Sequence, residues 1–314
     1  MNQARLNIRL YNPKDEQALL DIYTNSELGT LWPIAPERLL NVLFGYDDTN
    51  NKVRVFVAEL NNKIVGVISA KNKQVGDENR GVITLVVVTS EYRNNKVGTS
   101  LINATKDWFD QLGVKTIKLG GGAGSWLWAG VPENLNSINF FSKNGFLIEN
   151  ELVYDMYQNI ETFKSPKGIY EKINNEGIRI QISSPEYAEQ ILDFERKNFL
   201  EWHDYYKQDF DNNNYNNVFM AIHNKEIIGV TCIQIENCNW NLLFENKLGS
   251  GKALGVSEKW RGKGVGLALK SYGTELLKSK GIKYCWIGWT DKTDFYSKLG
   301  FEIWRKYFRA ELRI

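Results

Sequence analysis

The sequence predicts an α/β protein made of two similar domains in tandem, each a mixed, largely antiparallel sheet flanked by helices. Three observations carry that expectation. At 314 residues the chain holds two domains of ordinary size, each able to bury its own core. Hydrophobic residues make up 43% and charged residues 24%, close to the averages for globular proteins, which excludes wholesale disorder. Four stretches of the first half also recur in the second half in the same order.

The repeats fix the organisation. Residues 88–101, VTSEYRNNKVGTSL, return at 256–269 as VSEKWRGKGVGLAL, an offset of 168 that also brings Gly113 onto Gly281 and Lys115 onto Lys283. Residues 140–146, FFSKNGF, return at 295–301 as FYSKLGF at offset 155, so the first copy carries 13 extra residues. Upstream, Ile64–Val67 matches Ile227–Val230, and Ile8-Arg9-Leu10 matches Ile178-Arg179-Ile180. The expected domains are 1–160 and 177–314. The polar stretch 161–176, ETFKSPKGIYEKINNE, breaks the pattern and reads as a linker.

Each copy yields the same elements in order. After a short opening strand comes a helix, 15–23 in the first copy and 185–199 in the second. A hairpin follows, Val53–Leu60 turning through Asn61-Asn62 into 63–70, and 218–223 turning through Asn224-Lys225 into 226–235. An apolar strand (83–89; 252–257) leads through a tight turn into an amphipathic helix. Val97, Leu101, Ala104, Trp108 and Leu112 mark its face in one copy, and Val265, Ala268, Leu269, Tyr272 and Leu276 in the other; Gly113 and Gly281 close them. Another strand, a short helix ending in Gly-Phe and a final strand complete each copy.

Composition excludes several function classes. Lys+Arg outnumber Asp+Glu by 39 to 37, and the halves divided at residue 160 carry −1 and +3, so no polycationic arm for nucleic acid is expected. Leu85–Val88 is far short of a membrane span, and the start MNQARLNIRL has no signal-peptide shape, so a cytoplasmic protein without membrane contact is expected. The three cysteines, Cys232, Cys238 and Cys285, are odd in number and lack CxxC spacing, which argues against a disulfide framework. With only His203 and His223, no metal site is expected.

The chemistry gathers at Arg261-Gly262-Lys263-Gly264-Val265-Gly266, between an apolar strand and a helix. Glycines let backbone amides approach a ligand, and the helix start leaves N–H groups unpaired. With the helix dipole and two cations, the junction suits a pyrophosphate. The absence of GK[ST] sets it apart from a P-loop, and G-x-G-x-x-G is missing too.

Arg261-x-x-Gly264-x-Gly266 after a Val-containing strand resembles the acetyl-CoA signature Q/R-x-x-G-x-G/A of the GNAT acetyltransferase superfamily. Phe295-Tyr296-x-x-x-Gly300-Phe301 is similar to the family's late helix. The resemblance covers both halves and implies a tandem GNAT protein using acetyl-CoA as cosubstrate. It implies that Leu254, Gly255 and Val256 pair edge-on with the pantetheine arm. The amides of Arg261, Gly262, Lys263, Gly264, Val265 and Gly266 would hold the pyrophosphate, and Tyr296 would protonate the departing thiolate. A phenol near ~10 can share a proton with a thiol near ~8.5. Asp291 is the candidate base, or else a cap for the helix of Tyr296; Glu258 belongs to a solvated turn.

The first copy departs from the signature. Lys96 stands where the family has its first glycine, and Phe141 stands at the place of Tyr296, so the first domain is expected to be non-catalytic. Gly120–Ser125 with Trp126 and Trp128 reads as an insertion whose aromatics pack on the other domain. In the family the region after the first helix lines the acceptor side. Here it contains Trp202, Tyr205 and Asp209, aromatics and a carboxylate suited to a cationic amine. His203 is expected to be structural.

The expected activity is N-acetyl transfer to a small-molecule or peptide amine by a monomer or homodimer. The alternatives are a non-catalytic acyl-CoA-binding sensor and, against the near-neutral charge, an aminoacyl transferase using charged tRNA.

Overall fold

The computed structural model describes residues 5–46, 52–121 and 127–314 and divides the chain into two compact units. In chain order the elements begin with β1 (Asn7–Leu10), α1 (Glu16–Thr24), α2 (Glu27–Leu31), α3 (Pro36–Phe44), β2 (Lys52–Leu60), β3 (Lys63–Val75) and β4 (Glu78–Val88). Next come α4 (Val97–Gln111), β5 (Thr116–Leu119), β6 (Val131–Pro132), α5 (Ile138–Lys143), β7 (Leu147–Asn159), α6 (Ile169–Asn175) and β8 (Ile178–Ile182). The chain ends with α7 (Ala188–Asn198), α8 (His203–Asp211), β9 (Val218–His223), β10 (Glu226–Gln234), β11 (Leu248–Val256), α9 (Val265–Ser279), β12 (Tyr284–Thr290), α10 (Thr293–Ser297) and β13 (Glu302–Arg313).

In the first unit β1 to β4 pair antiparallel in sequence order, and β4 pairs parallel with β5. In the second unit β8 to β11 repeat that order, and β11 pairs parallel with β12. Both hairpins turn on left-handed pairs, Asn61-Asn62 and Asn224-Lys225, the conformation that a two-residue turn needs to follow the strand twist.

The unit boundaries correct the division read from the repeats. The first unit is Met1–Val153 with Arg305–Ile314, and the second is Tyr154–Trp304. The end of β13 pairs with β5 in the first unit, Leu312 opposite Ile117, while Tyr154–Asn159 of β7 pair with β12 in the second. Each sheet takes its last strand from the other repeat. An edge strand carries nothing in its sequence that says which sheet it will join.

The stretch 161–176 is no linker. Phe163, Ile169 and Ile173 are buried in the core of the second unit with Val265, Leu269 and Leu277 of α9. Ser165 Oγ donates to Glu275 at 2.6 Å, and Tyr170 donates to the same carboxylate at 3.2 Å. Three apolar residues at wide spacing in a charged stretch are too few to reveal a short helix by pattern.

Trp128 packs edge-on against Trp32 of its own unit, with ring centroids 5.8 Å apart. Residues 122–126 of the glycine-rich stretch, including Trp126, lie outside the described residues.

Candidate cofactor and acceptor site

The site of the second unit starts as a fork between two parallel strands. β11 and β12 pair only over Leu248–Ser250 against Tyr284–Trp286. Past Ser250 the register of β11 on β10 shifts, and Ala253 takes φ +51, left-handed for a residue with a side chain. This irregularity bends β11 and lets the strands part, leaving Leu254, Gly255 and Val256 on the β11 arm. Gly255 has a packing reason for being glycine: a Cβ there would come within 2.5 Å of the Phe199 ring.

The base of the fork differs in character between the units. Gly251, Lys270 and Cys285 hold the places of Ile83, Ile102 and Ile117 at the repeat offset of 168. Lys270 is 3% exposed, its Nζ donates to Cys285 Sγ at 3.5 Å, and burial lowers its pKa. Its ammonium end fills the space a side chain on residue 251 would take.

The turn after β11 forms the anion-binding part. Gly262 and Gly264 have φ +77 and +93, and α9 begins at Val265 with no side chain capping its amides. A Cβ on Gly262 would meet nothing within 4 Å, so ligand atoms can approach the backbone there. Gly266 lies under Phe295, which a Cβ would reach at 3.5 Å. Arg261 Nε donates to Val256 O at 3.1 Å and ties the turn to the strand end. Lys263 lies over the Trp260 ring at 4.4 Å. Lys172 of α6 comes within 3.8 Å of the Cβ position of Gly264, a third cation that the sequence had hidden in the supposed linker.

The first unit keeps the shape of this turn. Asn94 and Lys96 adopt φ +63 and +62, and Arg93 Nε donates to Val88 O at 3.2 Å. Lys96 therefore leaves the path of the backbone unchanged. The difference is its side chain, standing where Gly264 leaves only hydrogen.

Tyr296 projects from α10. It is half-buried, edge-on to Phe295 at 4.9 Å, with Cys285 and Asp291 within electrostatic reach. Burial raises its pKa, with the two acidic neighbours adding to the effect, so the phenol keeps its proton. Asp291 is exposed and paired with Lys292 at 3.0 Å. The N-cap residue of α10 is Lys292, whose side chain makes no capping bond, and Thr290 Oγ1 accepts from Lys292 N at 2.9 Å. Glu258 is exposed in its turn, as expected.

The three residues assigned to the acceptor do gather near β11, on α8 and the turn before it. Trp202 stacks on Phe199, with centroids 4.9 Å apart. Tyr205 and Asp209 converge on a cation, and that cation is Lys252 of β11: its Nζ is 5.9 Å from the Tyr205 centroid and 4.0 Å from Asp209 Oδ2. Burial raises the pKa of Asp209, opposed by Lys252, Cys232 and Asn214. The chain's own ammonium thus stands where a ligand cation was expected. His203 contacts Asp204 and Arg196 at the surface.

One residue here escaped sequence reading. Glu195 of α7 is 0% exposed, and neither carboxyl oxygen has a hydrogen-bond partner among the described residues. Burial pushes its pKa up to about 9. The available signal was a glutamate four residues after Ile191, on the apolar face of the helix.

These features define a mixed α/β fold whose sheet forks beside a glycine turn at a helix start. The acetyltransferase (GNAT) family model matches residues 17–146 and 184–301, so the chain belongs to the GNAT family, with two copies of its domain. No curated protein sequence matches it. Among solved structures it is similar over 99% of its length to a fungal GCN5-related glucosamine N-acetyltransferase region of a multi-domain GH3 β-N-acetylglucosaminidase (TM-score 0.93, 24% identity). The chain spans 38% of that protein.

A GCN5-related N-acetyltransferase from Sphaerobacter thermophilus aligns over 98% of this chain and 95% of its own, with TM-score 0.71 and 14% identity. A tandem GNAT protein from the clavulanic acid biosynthesis pathway aligns over 98% of both chains, with TM-score 0.69 and 12% identity. At these identities the likeness is one of fold. Among the described residues, no helix is long and apolar enough to cross a membrane, and no group of three or more His, Cys, Asp or Glu could hold a metal ion.

Proposed function

We propose that the second unit transfers an acetyl group from acetyl-CoA to the primary amine of a small molecule by direct attack on the thioester. The observation that carries this reading is the turn of Gly262 and Gly264, left-handed and open at the uncapped start of α9, beside two strands that part. That donor set fits the cosubstrate: backbone amides for a pyrophosphate, with Lys172 and Lys263 nearby, and a β11 arm whose pairing with β12 ends at Ser250, for an amide-bearing chain. Bound there, acetyl-CoA supplies an activated acetyl carbon and a thiolate leaving group.

The chain's residues supply the rest. Leu254 and Val256 orient the donor through their backbone, where a neighbouring N–H stabilises charge on the carbonyl oxygen. Tyr296 keeps its proton at neutral pH and delivers it to the sulfur, help worth roughly 10²–10⁴ in rate. Asp291 is close enough to Tyr296 to influence it but is exposed, which suits proton exchange with solvent more than abstraction from a bound amine. The first unit, with Lys96 and Phe141, is the non-catalytic half.

The test is calorimetric titration of acetyl-CoA into the wild-type protein and Gly264→Lys, then amine-dependent release of CoA thiol. One site per chain, lost in the variant, supports the reading; no binding by the wild type overturns it. Glucosamine heads the amines to screen, because the similar fungal region is described as a glucosamine N-acetyltransferase. A protein that binds acetyl-CoA, and whose Tyr296→Phe variant changes no turnover with any amine, would instead be an acyl-CoA sensor.

A further inference from the structure

Glu195 breaks a rule that its counterpart obeys. The turns Pro13–Asp15 and Pro185–Tyr187 open α1 and α7, and from there Leu19, Ile22 and Tyr23 correspond to Ile191, Phe194 and Glu195. Tyr23, nearly as buried, donates its hydroxyl to Trp32 O at 2.7 Å. Glu195 has no such partner for either oxygen among the described residues. A buried carboxyl without partners is costly, and native structures retain few of them outside functional sites.

Its surroundings place it behind the irregular part of β11. Two side chains within electrostatic reach of Glu195, Tyr206 and Cys232, are both hydrogen-bonded to that strand. Tyr206 donates to Ala253 O, and Cys232 Sγ donates to Lys252 O at 3.7 Å. The amide of Phe199, whose ring lies against Gly255, donates to the carbonyl of Glu195 at 2.7 Å. The carboxyl is thus one side chain removed from Lys252–Gly255, on the face of β11 that packs α7 and α8. Leu254 and Val256 pack on the core of α6 and α9.

The charge balance on that face is uneven. Lys252 faces Asp209, so that carboxylate already has its cation. Among the described residues, the titratable groups shown within electrostatic reach of Glu195 are Tyr206 of α8 and Cys232 of β10, neither of them a cation. Tyr187, in the turn before α7, packs on the same apolar cluster as those two, and Glu201 in the turn after α7 is exposed.

We propose that Glu195 receives the ammonium group of the acceptor, which makes the substrate class a primary amine entering on the α7–α8 face of β11. This rests on the acetyl-transfer reading above. The acceptor nitrogen bonds to the acetyl carbon and the carbon–sulfur bond breaks. Of the two protons an ammonium loses in becoming an amide, one passes to Glu195. The other passes to the departing sulfur by way of the Tyr296 hydroxyl.

Because burial keeps Glu195 protonated near neutral pH, an ammonium bound beside it expels about one proton to solvent. The experiment is calorimetry at pH 7.5 on protein saturated with CoA, which cannot react, in two buffers of different ionisation enthalpy. Glucosamine, putrescine, lysine and ethanolamine are the probes.

The expected result is that at least one amine binds with release of about one proton, and that Glu195→Gln binds it at least about tenfold more weakly without that release. The variant should bind CoA as the wild type does. Proton release unchanged in Glu195→Gln overturns the proposal, as does failure of all four amines to bind wild type. If Glu195→Gln does not fold, Glu195→Met replaces it, and failure of both variants to fold makes the residue structural and the proposal wrong. Absence of CoA binding by wild type is a different outcome: it overturns the acetyl-transfer reading, and this proposal with it.

Discussion

Tyr296 and Phe141 occupy the same place in the two units, each set edge-on to the phenylalanine five residues further along the chain. The Tyr296 and Phe301 rings are 6.1 Å apart at 70°, and the Phe141 and Phe146 rings are 5.8 Å apart at 81°. The ring does the packing in both units, and the hydroxyl is the single addition in one. Tyr296→Phe should therefore fold as the first unit already does, with a melting temperature within about 2 °C of wild type. Turnover should fall by roughly 10²–10⁴ with acetyl-CoA affinity unchanged, read by stopped assays beside calorimetry. A loss smaller than about threefold would remove Tyr296 from the reaction.

Gly264 and Lys96 make the complementary comparison, since both are left-handed at the first position before a helix. A side chain in that conformation costs roughly 1–2 kcal/mol, and the first unit bears that cost at Lys96. Gly264→Lys should lose about 1 kcal/mol of stability in urea unfolding. Its affinity for acetyl-CoA should fall at least about tenfold, as a side chain displaces ligand from the turn's amides. Unchanged affinity would mean that the cosubstrate does not use this turn.

Lys172 offers a test that the sequence alone would not have suggested. Its stem passes within 3.8 Å of the Gly264 Cβ position, and the residue itself is exposed. Lys172→Ala should weaken acetyl-CoA binding about three- to tenfold at low salt, and the difference should shrink as salt screens the charge. A salt-independent effect would point to lost packing of α6 instead.

Sequence reading found what repetition and backbone demand make visible. The duplicated Gly-Phe helices, the asparagine turns and the R-G-K-G-V-G junction all survive intact, because glycine and Asn-Asn pairs announce a backbone that other residues resist. It failed where the decisive partner was distant. Nothing in Arg305–Ile314 reveals that this strand completes the first sheet, and nothing in Tyr205 and Asp209 reveals that Lys252 arrives beside them from β11. Glu195 was missed for a related reason: one acidic residue on an apolar helix face reads as a surface position until burial is known.

The buried carboxyl of Glu195 also sets a pH dependence of stability with a definite sign. Its pKa is raised to about 9 in the folded protein, against about 4.3 in an unfolded chain. Between those values the native state holds a proton that the unfolded state has lost. Stability from this group is complete below the unfolded value, declines as pH rises, and is gone once pH passes the folded value. Replacing the carboxyl with an apolar side chain removes that decline. Glu195→Leu should therefore unfold at a higher temperature than wild type, by a margin that widens from pH 5 to pH 8.5 and reaches several degrees. Thermal unfolding at four or five pH values reads it directly. A margin that stays constant with pH would mean that Glu195 titrates like an ordinary surface carboxylate, with water reaching it in the folded state.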